Sequence, residues 1–303
     1  MGILEATKRY KATYKNYISV IWGLYRNEDT IDVILKDGTR DSLLPEVTYA
    51  LPKLIANGTN IDRTSLNELK MLGESYRKVR NGVSDEIVYK SRIIVMHGSK
   101  SNGDVWAVFL GDEYKFLNVK DKVVIDVGSN IGDSAIYFAL KGAEKVVALE
   151  PYPYSFNFAI RNIKENDLEE KIELLNAGYG LDGKVLVDEN LEVDTGKYLV
   201  GSRMGGGREV KIYSLKSLIE NFDLDEPILK MDCEGCEYNL LSEDDNVIAE
   251  FPQMQIEYHY GHQKLVEKLR KAGFTVRYTK PKRSVSNGTN KKMLVGYIYA
   301  QKV

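Results

Sequence analysis

From Lys122 onward, short apolar runs alternate with stretches of helical character, and this alternation limits the possible folds more than any other feature of the 303-residue chain. Val123-Val124-Ile125 is too short and too β-branched for a helix, and Val146-Val147-Ala148-Leu149, residues 172–175, Ile228-Leu229 and residues 254–258 repeat the pattern. Helical character fills the gaps at 133–140, 154–165, 214–221 and from 238 onward. Strands that are apolar along their whole length must be covered on both faces, which a parallel sheet flanked by helices achieves. The spacing therefore predicts an α/β fold with a doubly wound, mostly parallel sheet. Residues 274–278 and 293–299, with a polar segment between them, predict a closing hairpin. In an open sheet of this kind the ligand lies beyond the carboxyl ends of the strands, where the strand order reverses.

Three successive strand ends carry groups suited to a nucleotide-like ligand. The first strand runs into VVIDVGSNIG, residues 123–132, where Asp126 is followed by Gly128-x-x-x-Gly132 at the start of a helix. Gly128 permits a tight turn at positive φ, and Gly132 lets backbone come close to a ligand. Position 130 is Asn and no Gly-Lys-Ser/Thr follows, so neither the dinucleotide fingerprint nor a P-loop is present. A plain strand-to-helix turn would use the same glycines. The second strand ends at Glu150, 24 residues after Asp126, where an acid is placed to accept two hydrogen bonds from a ribose diol. The third ends in Asn176-Ala177-Gly178, a polar turn suited to the border of an adenine ring.

The stretch VVIDVGSNIGDSAIYFALKGAEKVVALEP, then Asn162-x-x-x-Asn166, and then LKMDCEGCEYNLL together resemble the FkbM-type, S-adenosylmethionine-dependent methyltransferases. The last block is the most specific, matching a K-x-D-x-E-G-x-E pattern with Lys230, Asp232, Glu234, Gly235 and Glu237. The resemblance covers roughly residues 104–303. It implies a class I methyltransferase-like, mostly parallel seven-stranded sheet with one antiparallel strand, and S-adenosyl-L-methionine as cofactor. By that resemblance Asp126, Gly128, Ser129, Asn130 and Gly132 form the cofactor loop. Asp133 and Ser134 bound its amino-acid end, where a helix N-terminus favours a carboxylate. Glu150 holds the ribose hydroxyls, and Asn176 and Ala177 lie at the adenine edge.

Groups acting on the acceptor must stand at the ends of the fourth and fifth strands, which offer Asp232, Glu234 and His259. An ordinary imidazole titrates near 6.5, so His259 is expected to be the general base. Asp232 and Glu234 either orient that base, join it in holding a divalent cation through hard oxygens and an imidazole, or merely cap the next helix. The metal question stays open at this level. His262 is a weaker candidate, and His97 falls outside the catalytic region. Cys233 and Cys236 form a C-x-x-C that suits a redox pair or half a zinc site, but no second such pair completes a metal site. The resemblance places both cysteines at variable positions of its block.

The first third reads differently. Tyr10, Tyr14, Tyr17, Ile18, Ile21 and Tyr25 recur at spacings of three and four, predicting one amphipathic helix over 4–26. Ile31, Val33 and Leu35 alternate into Asp37-Gly38; residues 43–57 and 65–79 read as helices, and 86–96 and 105–110 as strands about a turn at 98–103. Residues 1–103 are thus expected to form a mixed α+β extension serving as a lid, a substrate-facing subdomain or an oligomer contact, ahead of a cofactor-binding domain at 104–303.

Composition removes other classes. With 43% hydrophobic residues the chain is not disordered, and no apolar run approaches the ~20 residues of a membrane span. The charged N-terminus has no signal-peptide character, so a cytoplasmic protein is expected. The net charge of −2 hides an asymmetry: residues 264–303 hold 11 Lys/Arg and one acid, Glu267, against 31 basic and 43 acidic residues elsewhere. Five of those cations, Lys280, Lys282, Arg283, Lys291 and Lys292, lie between the last two strands. The leading expectation is O-methylation of a small-molecule or glycan-like acceptor, the acceptor type coming from the resemblance. The basic segment motivates RNA as the alternative acceptor, although no RNA-binding module is recognisable. A cofactor-binding module without transfer activity is the alternative of another class, and Asn130 disfavours a nicotinamide oxidoreductase.

Overall fold

The computed structural model describes residues 3–98, 105–187, 207–285 and 292–302. The chain divides into two compact units, Met1–Glu113 and Tyr114–Val303. The boundary expected at 103/104 falls outside the described residues. Among the described residues no helix is long and apolar enough to cross a membrane.

The second unit is built on β1 (Val123–Val127), α1 (Asp133–Leu140), β2 (Lys145–Leu149), α2 (Pro153–Glu165), β3 (Ile172–Leu175), α3 (Leu215–Phe222), β4 (Ile228–Met231), β5 (Gln253–Tyr258), α4 (Gln263–Lys271), β6 (Phe274–Tyr278) and β7 (Lys292–Lys302). Its sheet runs β3-β2-β1-β4-β5-β7-β6, with β1 to β5 mutually parallel and β7 antiparallel to both of its neighbours. This is the seven-stranded class I methyltransferase arrangement, with an additional short strand, Lys282–Val285, paired to the start of β7. Every residue of β4 and all but the first of β1 and β2 are buried, as continuous apolar runs require. Among them Lys230 is a buried charge in an otherwise apolar strand.

Register decides what meets at the carboxyl edge. Val127 pairs with Leu149 on one side and Met231 on the other, so Gly128, Glu150 and Asp232 emerge together. The strand order reverses between β1 and β4, which makes this edge the place for a ligand. Helix starts reinforce the layout: Pro153 opens α2, and Ser214 caps α3 by accepting from Ser217 N–H at 3.0 Å. A three-stranded side sheet of Ala177–Tyr179, Gly183–Val187 and Arg208–Tyr213 was not expected from the pattern.

In the first unit the helix expected over 4–26 is two helices, Ile3–Thr13 and Tyr17–Tyr25. The break has a cause. Lys15 N–H donates to Ile34 O at 2.7 Å, and the Asn16 amide bonds both Asp32 O and Ile34 N–H, so this segment pairs with a strand and leaves the helix. Residues 86–96 form a hairpin, Glu86–Tyr89 with Arg92–Val95, whose turn residues Lys90 and Ser91 have φ of +46° and +62°. The apolar run at 105–110 is a π-helical turn, Trp106–Leu110, and not a strand; a short buried run does not distinguish the two by periodicity. The helices Pro45–Ala56 and Arg63–Arg80 stand close to where the sequence pattern puts them.

Candidate active site

The glycine loop after β1 is held from below by charge. Lys230 Nζ, almost fully buried in β4, lies 2.9 Å from Asp126 Oδ1 and donates to Gly128 O at 2.7 Å. Asp126 Oδ2 accepts from Ser134 Oγ at 2.6 Å. Burial opposes the ammonium, but the charges of Asp126, Asp232 and Asp133 outweigh it and hold Lys230 above its ordinary range. Asp126 and Ser134 are therefore loop anchors, wholly or nearly buried. Lys230, which the sequence reading left without a role, is the tie between them. Gly128 has φ +77°, and a Cβ there would stand 1.9 Å from Asp232 O. Its requirement is thus as much the neighbouring backbone as the turn. Gly132, at φ +87°, lies against Ala159 of α2, with no ligand needed to explain the close approach. The second signature block clasps the same loop: Asn162 Nδ2 donates to Ile131 O at 2.8 Å, and Asn166 Nδ2 to Asn162 O at 2.7 Å.

Glu150 is buried at the end of β2. Its Oε2 accepts from Asn130 N–H and its Oε1 from Tyr152 N–H, both at 2.9 Å. Asn176 Nδ2 donates to Glu150 O and Pro151 O, so Asn176 fastens the segment that carries the acid; Ala177 is buried in the side sheet. Burial is the largest influence on Glu150 and pushes it up to about 7 against the opposing amide bonds. A buried carboxylate with lone pairs to spare is best kept ionised by further donors. Nearby, Ser129 Oγ is buried and makes no hydrogen bond. An acid wanting donors, an orphaned hydroxyl and the start of an eight-residue helix at Asp133 fit the ribose and amino-acid ends of S-adenosylmethionine.

The turn after β4 faces β5. Glu237 is fully buried, its Oε2 accepting from Gly235 N–H at 2.8 Å and its Oε1 from His259 N–H at 2.9 Å. The same Oε1 lies 3.1 Å from His259 Nδ1, which fixes the ring. His259 Nε2 then points at Glu234 Oε2, 3.4 Å away, and Asp232 Oδ1, 3.9 Å away. Burial by itself would favour the neutral ring, but the Glu237 hydrogen bond and the charges of Glu237, Glu234 and Asp232 overcome it and lift His259 to about 10. At neutral pH these surroundings favour the imidazolium, with the ring facing both acids. Glu234 and Gly235 carry the turn at φ of +56° and +124°.

Beside these groups stand the C-x-x-C pair and a tyrosine that the pattern did not single out. Cys233 and Cys236 are disulfide-bonded, with Cα atoms 5.5 Å apart, and close the loop that presents Glu234. Tyr152 is raised to about 12, by burial first and then by the charges of Glu150 and Glu234, which places it beside both halves of the site. His262 stacks on Tyr278 with ring centroids 4.1 Å apart, and His97 pairs with Asp85 in the first unit at 2.8 Å. Neither joins the cluster.

Residues 126–276 match the family profile described as Methyltransferase FkbM domain. The chain is similar to the tRNA(Phe) (4-demethylwyosine(37)-C(7)) aminocarboxypropyltransferase of Pyrococcus horikoshii, with 28% identity over 120 residues that make up 35% of this chain and 40% of that protein. It is also similar to the ribosomal protein L11 methyltransferase of Carboxydothermus hydrogenoformans, 48% identical over 54 residues, 18% of each chain. The matched regions thus span less than half the length of either relative. Among solved structures it resembles the precorrin-6y C5,15-methyltransferase of Geobacter metallireducens GS-15 at 17% identity and a TM-score of 0.35, covering 62% of this chain and 85% of that one.

Proposed function

Residues 126–276 are a methyltransferase FkbM domain, and from that premise we propose that the protein methylates a hydroxyl group of a small-molecule or glycan-like acceptor, with S-adenosylmethionine as donor. The observation that carries this reading is the shared strand edge, where the backbone of Gly128 touches that of Asp232. Groups fit to hold a cofactor and groups fit to handle a proton stand side by side there. When bound, the cofactor supplies a methyl carbon on a sulfonium sulfur, which an acceptor oxygen displaces in line, both electrons of the C–S bond leaving on sulfur.

The chain's own residues do the rest. Glu150 accepts the ribose hydroxyls, and the first turn of α1 receives the amino-acid carboxylate. The acceptor hydroxyl lies against Asp232 and Glu234, whose side chains are 29% and 40% exposed, and its proton passes to one of them. His259, already protonated, holds the two acids in place. Positioning of this kind supplies up to about 7–11 kcal/mol, and proton removal about 10²–10⁴ in rate.

Thermal unfolding tests the cofactor assignment: S-adenosylhomocysteine raises Tm and NAD(H) does not. Labelled methyl transfer into a panel of hydroxylated acceptors tests the class, with Asp232→Asn and Glu234→Gln lowering kcat. Binding without transfer to any acceptor would leave only a cofactor-binding module. One observation favours RNA as a second acceptor class: Lys280, Lys282 and Arg283 are exposed beside β7, while Lys291 lies outside the described residues. The relative named for a tRNA substrate points the same way. RNA binding that weakens steeply with salt, together with methyl incorporation into RNA, would replace the hydroxyl-acceptor reading.

A further inference from the structure

Three side chains at the ends of β4 and β5 turn their ligating atoms toward one point. An oxygen of Asp232, an oxygen of Glu234 and a ring nitrogen of His259 all lie within 4.8 Å of one another. Adjacent ligands of a six-coordinate cation at ~2.1 Å stand about 3 Å apart and opposite ones about 4 Å. The observed 3.4 Å and 3.9 Å from His259 Nε2 fall in that range. We infer that Asp232, Glu234 and His259 form a binding site for a divalent cation of the Mn²⁺/Mg²⁺ class.

The imidazole carries the argument beyond a cluster of acids. His259 is 3% exposed at its side chain, and its Nε2 faces both carboxylates, 3.4 Å from Glu234 Oε2 and 3.9 Å from Asp232 Oδ1. Glu237 takes the Nδ1 side of the ring, so the tautomer with hydrogen on Nδ1 leaves the Nε2 lone pair directed into the cluster. A carboxylate behind a ligating histidine is the usual support for such a ligand. Glu237 is itself pinned by Gly235 N–H and His259 N–H, so the ring has little freedom to turn away. Asp232 and Glu234 are partly exposed, which leaves coordination positions open to water and to an acceptor oxygen. Two carboxylates with one imidazole suit a cation that prefers oxygen and tolerates nitrogen. On binding, the proton at Nε2 leaves to solvent, and a double positive charge takes the place of a single one. The inference deepens the methyl-transfer reading and rests on it for purpose: a cation here would lower the pKa of a hydroxyl bound to it.

Mn²⁺ titration of the full chain, followed by loss of the free-ion paramagnetic resonance signal, tests the site directly. One equivalent of Mn²⁺ should bind, and Mg²⁺ should compete for the same position. Glu234→Gln and His259→Gln should each weaken Mn²⁺ at least tenfold. Glu237→Gln should weaken it about 10–100-fold without removing a ligand. Glu234 is the conservative arm, since its side chain is the most exposed of the three. A wild-type chain that shows no site tighter than about 1 mM, or Mn²⁺ affinity unchanged in both ligand variants, would overturn the inference. S-adenosylhomocysteine binding measured in EDTA separates the two ideas. Cofactor product bound without a Mn²⁺ site removes the cation alone; a Mn²⁺ site without cofactor-product binding removes the methyl-transfer reading and leaves the cation.

Discussion

Glu150 offers the sharpest test of the cofactor assignment because its environment converts binding into a proton measurement. Burial lifts its carboxyl from an ordinary value of 4.5 to about 7, even though Asn130 and Tyr152 amides hold both oxygens. At pH 6 about nine-tenths of the free protein is therefore protonated at this position, and at pH 8 about one-tenth. Two ribose hydroxyls would favour the carboxylate, so binding of S-adenosylhomocysteine should release about one proton at pH 6 and almost none at pH 8. Affinity should rise about tenfold over the same interval, or about 1.4 kcal/mol. Calorimetry in two buffers of different ionisation enthalpy reads both quantities, and Glu150→Gln should abolish the proton release. The sign for stability runs the other way in the free protein. A carboxyl raised on folding stabilises fully below about 4.5, and that contribution is lost as pH rises to about 7, at most ~3 kcal/mol for this residue. Unaltered affinity across pH 6–8, with no proton release in a chain that binds the ligand, would remove Glu150 from the ribose site.

Two other substitutions probe the loop. Lys230→Met leaves Asp126 charged and buried without its partner, which should cost about 3–5 kcal/mol and lower Tm by roughly 6–20 °C in a unit of this size; a loss under about 1 kcal/mol by thermal unfolding would show that the pair holds nothing. Gly128→Ala sets a Cβ 1.9 Å from Asp232 O in a left-handed conformation, so both cofactor affinity and turnover should fall, with at least 1–2 kcal/mol of stability. Wild-type kinetics in that variant would mean the close approach is absent.

Much of this was legible in the chain alone. The cores of β1, β2 and β4 are short apolar runs broken by few polar residues, and such runs admit few environments besides the middle layer of a parallel sheet. The Gly128 turn, Glu150 and the Asp232–Glu237 block announce themselves because each sits where an apolar run stops. The side sheet at 177–187 and 208–213 did not, since its strands alternate weakly and pair across a long separation in sequence. The break at residues 14–16 was equally hidden: the tyrosine spacing is helical on both sides, and only pairing with the Ile31–Ile34 strand interrupts it.

Sequence alone determined the layer architecture, the strand ends that matter and the residue types gathered there, because these follow from periodicity and from the order of apolar and polar residues. The tertiary structure decided what each of those residues is for. Lys230 became an anchor only once β4 lay beside β1 and brought its ammonium to Asp126. The surroundings of His259 favour a charged ring because Glu237, 22 residues earlier, is buried directly behind it with Glu234 and Asp232 in front. A protonation state depends on the charges and burial within a few ångströms, and those are set by folding and not by neighbours along the chain.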